Sequence, residues 1–153
     1  IIMFKRWQFS LSTIIALAHD VIIVLGVFSF FKGMLPFNME IDQAFIAAIL
    51  TVIGYSMNDS IIILDRIREN LTVEKKHNLY DIINISTSET LSRTINTSLS
   101  TFLIVLIIFS FGGESIKGFM FAKLIGIVIG TFSSIFVASP LLYDFTRKGQ
   151  MNK

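Results

Sequence analysis

Four long apolar runs set the strongest limit on how this chain can fold. They occupy residues 9–31, 41–64, 90–111 and 119–143. A helix rises 1.5 Å per residue, so about 20 apolar residues cross the hydrocarbon core of a membrane. Lipid offers the backbone no hydrogen bonds, so an isolated apolar run of this length must be helical there. We therefore predict an all-α fold, a polytopic transmembrane helix bundle.

The remaining residues divide into short connections and one longer charged segment. We interpret 1–8 as the end of a preceding transmembrane helix and a cytoplasmic turn, since the chain starts with Ile and reads as part of a longer protein. Residues 32–40 and 112–118 are predicted as an extracytoplasmic loop and turn, and 144–153 as a cytoplasmic tail. Residues 65–89 read as a cytoplasmic amphipathic segment, with an interfacial helix that turns near Lys75–His77.

The basic residues predict the orientation of the spans. If the spans alternate, one side of the membrane carries nearly all lysines and arginines, and the other carries Lys32 and Lys117. Cytoplasmic loops are the ones enriched in these residues. The basic side is formed by Lys5, Arg6, Arg66, Arg68, Lys75, Lys76, Arg147, Lys148 and Lys153. We expect a multi-pass protein of the cytoplasmic membrane, bacterial in type, with the lipid bilayer as its solvent.

Composition excludes several classes of function. Charged residues make up 16% of the 153 residues, below the roughly 25% of soluble domains. The chain has no cysteine, and a net charge of +2 without a basic patch does not indicate nucleic-acid binding. No nucleophile–base pair, phosphate-binding loop or zinc motif is present. We therefore expect no enzyme activity, no cofactor and no metal site.

Two acids lie within the apolar runs, and an arginine enters a third. Asp59 is about a turn and a half inside the cytoplasmic end of its span, and Asp20 is near mid-bilayer. Arg93 starts the third span at a depth similar to that of Asp59. Ionisable groups at membrane depth are costly and usually serve proton or ion movement. We favour a proton-relay role for Asp59 with Arg93 as its partner, over a structural ion pair.

Asp20 leaves two interpretations open. It could be a second station of the pathway or a polar anchor of helix packing. Its neighbour His19 does not make a metal site, because successive helix positions point about 100° apart and no further ligands cluster there.

Other polar residues could support these groups. Tyr55, Ser56 and Asn58 lie within a turn of Asp59, and Thr90, Thr94, Thr97 and Thr101 recur at helical spacing beside Arg93 and Asn96. The hydroxyl stripe could line a water-filled path or form interhelical hydrogen bonds, and the sequence does not decide between them.

Two further patterns have simpler interpretations. The motif formed by Asp65, Arg66, Arg68, Glu69 and Asn70 follows the second span and reads as a solvated cap that sets helix depth. Small residues every fourth position in the last span predict close helix packing. The stripe includes Gly126, Gly130, Ser134 and Ala138, continuing Gly118 and Ala122.

Three segments together resemble the SecF family of protein-export membrane proteins. They are GYSMNDS at 54–60 followed by DRIREN at 65–70, SRTINTS at 92–98, and His19-Asp20 with Gly26 and Phe28. The resemblance covers nearly the whole chain, with Met57 and Ser60 as mild departures. It implies half of a SecDF-like transporter of the resistance-nodulation-division (RND) superfamily, of which this chain supplies the last four helices and the end of the second.

The resemblance also implies function and partners. SecF pairs or fuses with SecD, associates with the SecYEG translocon, and uses proton flow (sodium in some members) to promote export of unfolded secretory proteins, which an outer domain outside this chain contacts. Family residues matching Asp59 and Arg93 belong to the ion pathway. Two other functions stay open: a proton-driven RND exporter of small molecules or lipids, and a purely structural subunit that stabilises a translocon.

Overall fold

The computed structural model describes residues 2–37, 39–73 and 76–151, and within these ranges it contains helices and turns but no strand. The helices are α1 (Ile2–Phe31), α2 (Gln43–Val73), α3 (Leu79–Phe111), α4 (Glu114–Ser133) and α5 (Ser139–Met151). A π-helical turn, Ser134–Ala138, joins α4 to α5, so the two form one long span. Among the described residues, four helical segments are therefore long and apolar enough to cross a membrane. The predicted all-α membrane bundle is confirmed.

Specific residues set where the helices begin and end. Gly33 follows α1 with φ of +84°, a left-handed conformation that glycine adopts without the penalty of a Cβ. Asp42 precedes α2, and its Oδ1 accepts a 2.9 Å hydrogen bond from the Phe45 amide, which caps the first turn. The π turn lies just before Pro140. A proline cannot donate to the preceding turn and its ring crowds the carbonyl four residues back, which accounts for the widened helix there.

Helices α2 and α4 form the tightly packed centre, and α1 and α3 flank them. At the end of the bundle where the chain passes from α1 to α2, the core is a cluster of Phe28, Met39, Phe45, Ala48 and Ala122. At the opposite end the core consists of Ile63, Leu64, Ile67, Ile83 and Leu142. Between these two layers the interior is polar, and this layer contains the candidate site.

Several predicted boundaries differ from the structure. The turn predicted within 1–8 is absent from the described residues, since α1 runs from Ile2 to Phe31 without a break. The separate interfacial helix predicted within 65–89 is also wrong: 65–73 extend α2, 79–89 begin α3, and the chain turns at 76–78. Its apolar residues Ile67, Ile82 and Ile83 are buried in the bundle, and that burial favours two straight helices.

The last span also starts earlier than predicted. Helix α4 begins at Glu114, inside the predicted turn 112–118, and the helical segment continues through α5 beyond residue 143. Lys117 donates a 2.5 Å ion-pair hydrogen bond to Glu114 in the first turn of α4. A pair three residues apart favours a helix, which explains why the charged turn residues join α4.

Candidate functional site

Asp20 links α1 to α2 in the middle of the bundle. Its side chain is fully buried, and its Oδ2 accepts a short hydrogen bond from the Ser56 hydroxyl. His19 Nδ1 lies 3.2 Å from the other carboxylate oxygen. Asp20 therefore has partners on both oxygens, as a buried carboxylate needs.

Asp59 lies on α2, about one turn after Ser56, and its environment differs from that of Asp20. Its side chain is 1% exposed, and its Oδ2 has no hydrogen-bond partner among the described residues. The buried hydroxyls of Ser60 and Thr94 also lack partners within that part of the chain. Buried polar atoms are nearly always paired, so orphaned oxygens of this kind indicate water, an ion or a functional state. Asp59 is thus the one carboxylate among the described residues with a buried oxygen that lacks a hydrogen-bond partner.

A hydroxyl cluster connects three helices near Asp59. Tyr55 of α2 donates a 2.8 Å hydrogen bond to Ser98 Oγ of α3. Thr131 of α4 lies 2.7 Å from the same oxygen and can donate to it or to the Ile127 carbonyl. The apolar residues Val105, Leu124 and Ile127 pack around this cluster. The arrangement fixes the three helices to one another one turn from Asp59.

Arg93 is not paired with Asp59 in this structure. The arginine is exposed, and no ion pair between described residues includes it. Its neighbour Thr94 turns into the bundle, which places the guanidinium on the outer side of α3. The direct contact expected from their similar depth is therefore not formed within this chain.

The threonine stripe of α3 lies partly on the face that packs into the bundle and partly on the exposed face. Thr90 and Thr94 are buried, whereas Thr97 is exposed and Thr101 is partly exposed. Thr90, Thr97 and Thr101 each donate to a carbonyl of their own helix, four residues earlier. Their hydroxyl protons are thus used within α3. Asn58 is exposed on α2.

The motif at 65–70 makes more contacts than a solvated cap would. Arg66 Nε donates to Glu89 of α3 at 2.7 Å, and its Nη1 donates to Glu69 at the same distance. Asn70 is buried and lies 3.0 Å from both Ser86 Oγ and Glu89 Oε2. Arg66 and Asn70 thus connect α2 to α3, whereas Asp65, Arg68 and Glu69 are exposed.

The small residues of the last span lie against α2. Gly126, Gly130, Ser134 and Ala138 are all buried. A Cβ added to Gly126 would come within 2.9 Å of Val52 Cβ, and one added to Gly130 would lie 3.0 Å from Ser56 Cβ. Only glycine allows α4 to approach α2 this closely, and the approach seals the layer that contains Ser56 and Asp59.

Some participating residues are not apparent from the sequence. Ser98 and Thr131 complete the hydroxyl cluster. Glu89 accepts hydrogen bonds from Arg66 and Asn70. Ser98 follows Thr94 by four residues, a spacing that could have extended the polar stripe. Glu89 has no comparable signal, because its role depends on the contact between α2 and α3. No group of three His, Cys, Asp or Glu side chains in the described part of the chain could hold a metal ion.

The fold and the site together define a multi-pass α-helical membrane protein with two carboxylates buried inside the helix bundle. Comparison with known proteins makes the assignment specific. The family model described as "Protein export membrane protein SecD/SecF, C-terminal" matches residues 1–148. The chain belongs to this family, as its motifs predict.

Curated relatives and solved structures agree with the family match. The protein translocase subunit SecF of Rhodothermus marinus is 54% identical over 139 residues, which are 91% of this chain and 45% of that protein. The SecF subunit of Haemophilus influenzae is 51% identical over 91% of this chain and 41% of its own length. The chain thus spans less than half of these relatives.

Structural neighbours show the same bundle. A crystal structure of SecDF in a super-membrane-facing form superposes with a TM-score of 0.82 at 42% identity, over 95% of this chain and 19% of that chain. A second SecDF structure, from Thermus thermophilus and described as a translocon-associated membrane protein, gives 0.81 at the same identity, over 92% of this chain and 19% of that one. The prediction of a SecDF-like half is confirmed.

Proposed function

We propose that this chain belongs to an accessory subunit of the Sec translocase that uses the proton motive force to promote export of secretory proteins. The observation that carries the proposal is the Asp59 carboxylate, buried at membrane depth with an unpartnered oxygen. Keeping a carboxylate there costs a few kcal/mol, so a bundle held together for stability alone would not retain it. Family membership supports the export role.

The chemistry is proton binding and release, without a covalent step. Protonation of Asp59 removes the charge, so the layer around Ser56, Ser60 and Thr94 can close without a desolvation penalty. Deprotonation favours an arrangement that admits water or a cation. A unit charge that crosses the membrane is worth about 2.3 kcal/mol per 100 mV, which can bias a movement of helices.

Arg93 would act from the side of α3. It is exposed in this chain, so a neighbouring helical half can bring a counter-charge to it or place it in a shared water-filled path. Asp20, held by Ser56 one turn from Asp59, would report the protonation of Asp59 to α1. We propose SecD, separate or fused, as the partner half, SecYEG as the associated translocon, and unfolded secretory chains as the cargo contacted by an outer domain.

The test replaces Asp59 by asparagine in the full-length protein with its SecD partner. Membrane vesicles would import a secretory precursor with and without a proton gradient, at equal abundance of the complex. We expect Asp59→Asn to abolish the gradient-dependent part and leave the gradient-independent part intact. Glu114→Gln also replaces a carboxylate by an amide, at an exposed position in the first turn of α4, and is the matched control. Unchanged gradient-dependent import in Asp59→Asn would favour a structural role.

A further inference from the structure

Glu89 lies between two possible partners at the cytoplasmic end of the bundle. Its Oε2 accepts from Arg66 Nε at 2.7 Å and from Asn70 Nδ2 at 3.0 Å, both on α2. Asn70 is fixed in turn, because it is buried and bonded to the fully buried Ser86. The carboxylate is therefore held toward α2.

The alternative partner of Glu89 is Arg93, one turn later on the same helix. A glutamate four residues before an arginine is the favourable order for an ion pair along a helix. The pair is nevertheless not formed, since Arg93 appears in none of the ion pairs between described residues. Arg66 and Asn70 thus bind the carboxylate that could otherwise neutralise Arg93.

We propose that Arg66 and Asn70 are positioning residues that hold Glu89 away from Arg93 and keep the arginine available for ion movement. The inference rests on the proposed function, since it assigns a purpose to an unpaired Arg93. It explains why part of the 65–70 motif reaches across to α3. An ordinary surface ion pair contributes little to stability, so its position relative to Arg93 matters more than its strength.

The test compares the two ways of breaking one ion pair in the full-length complex. R66Q releases a charged Glu89, which then pairs with Arg93, so gradient-dependent import should fall about fivefold, equivalent to about 1 kcal/mol. E89Q breaks the same ion pair but leaves no competing carboxylate, so import should fall by no more than about twofold. The double variant R66Q/E89Q should recover to the level of E89Q.

Two further variants make the comparison decisive. Asn70→Ala removes the other hydrogen-bond donor to Glu89 and should also reduce gradient-dependent import. Adding E89Q to Asn70→Ala should restore import to the level of E89Q alone. Lys117→Gln breaks an exposed ion pair at the outer end of α4 and should leave import unchanged.

If the ion pair only holds α2 and α3 together, R66Q and E89Q should reduce gradient-dependent import equally, and the double variant should show no recovery. That result would overturn the inference. Failure of the proposed function is separately visible, because Asp59→Asn would then retain gradient-dependent import.

Discussion

The two buried carboxylates of the bundle differ in what surrounds them. Asp20 has Ser56 and His19 as partners, whereas Asp59 has an oxygen to which no described residue donates a hydrogen bond. A satisfied carboxylate contributes to the cohesion of its helices, but an unsatisfied one reduces stability. This contrast favours a helix-connecting role for Asp20, whose role the sequence left open, and it supports the proton-binding role proposed for Asp59.

The contrast predicts opposite effects on stability. Asp59→Asn removes a poorly compensated charge and should leave the bundle at least as stable. Asp20→Asn weakens two hydrogen bonds to a charged acceptor and should cost about 1 kcal/mol. Thermal unfolding of the full-length protein in detergent would measure both. A loss of stability in Asp59→Asn as large as that in Asp20→Asn would contradict this assignment of roles.

The candidate site could be predicted only in part at this scale. Asp59 stands out because an acid in an apolar run is rare, whatever surrounds it. The pairing of Asp59 with Arg93 could not be settled from depth alone, because two residues at one level can face in different directions around their helices. The hydrogen bond between Ser56 and Asp20 was not predicted either, because it depends on the rotation of both α1 and α2 about their axes.

At the scale of helices, the contact between α2 and α4 positions the site. Gly126 and Gly130 let α4 approach α2 beside Val52 and Ser56. Small residues at a four-residue spacing predict such an approach, and the buried faces follow that stripe. The spacing does not identify the partner helix, because which helix packs against the stripe depends on the arrangement of the whole bundle.

A methyl group added at this contact should be poorly tolerated. Gly126→Ala would force α4 away from Val52 and should destabilise the bundle by about 1–3 kcal/mol. Gly54→Ala meets nothing within 4 Å and should be neutral or stabilise α2 by up to about 1 kcal/mol. Unfolding in detergent would compare the two variants.

A compensating change checks the cause. Val52→Ala should restore much of the stability lost in Gly126→Ala, because it removes the atoms that the new methyl group meets. Additive losses in the double variant would show that the contact with Val52 is not responsible.

At the scale of the whole molecule, the four spans differ in how much of their surface is buried within the bundle. The span that contains α4 is the most buried of the four, and α3, which carries Arg93, is the least buried. Large apolar residues such as Ile104 are exposed along α3. Under the proposed function, the Arg93 side of α3 is where the partner half packs.

Cross-linking would test that placement. Ile104 lies eleven residues from Arg93, close to three helical turns, and shares its face, whereas Ile95 lies on the other side of α3. Both are exposed, at 59% and 46%. A photoreactive side chain at position 104 should cross-link to SecD in assembled membranes, and one at position 95 should not. Equal cross-linking from both positions would contradict the assigned face.

The sequence by itself determined the helical class and the four membrane-length helices, and it singled out Asp59 as the candidate functional residue. Hydropathy and motif spacing are local properties of the chain, and lipid as a solvent leaves a long apolar run almost no alternative to a helix. The tertiary structure decided the rest: the partner of Asp20, the unpartnered oxygen of Asp59, the outward position of Arg93, and the contact of Glu89 with Arg66 and Asn70. Each depends on how helices rotate and pack against one another, and residues far apart in the chain set that arrangement together.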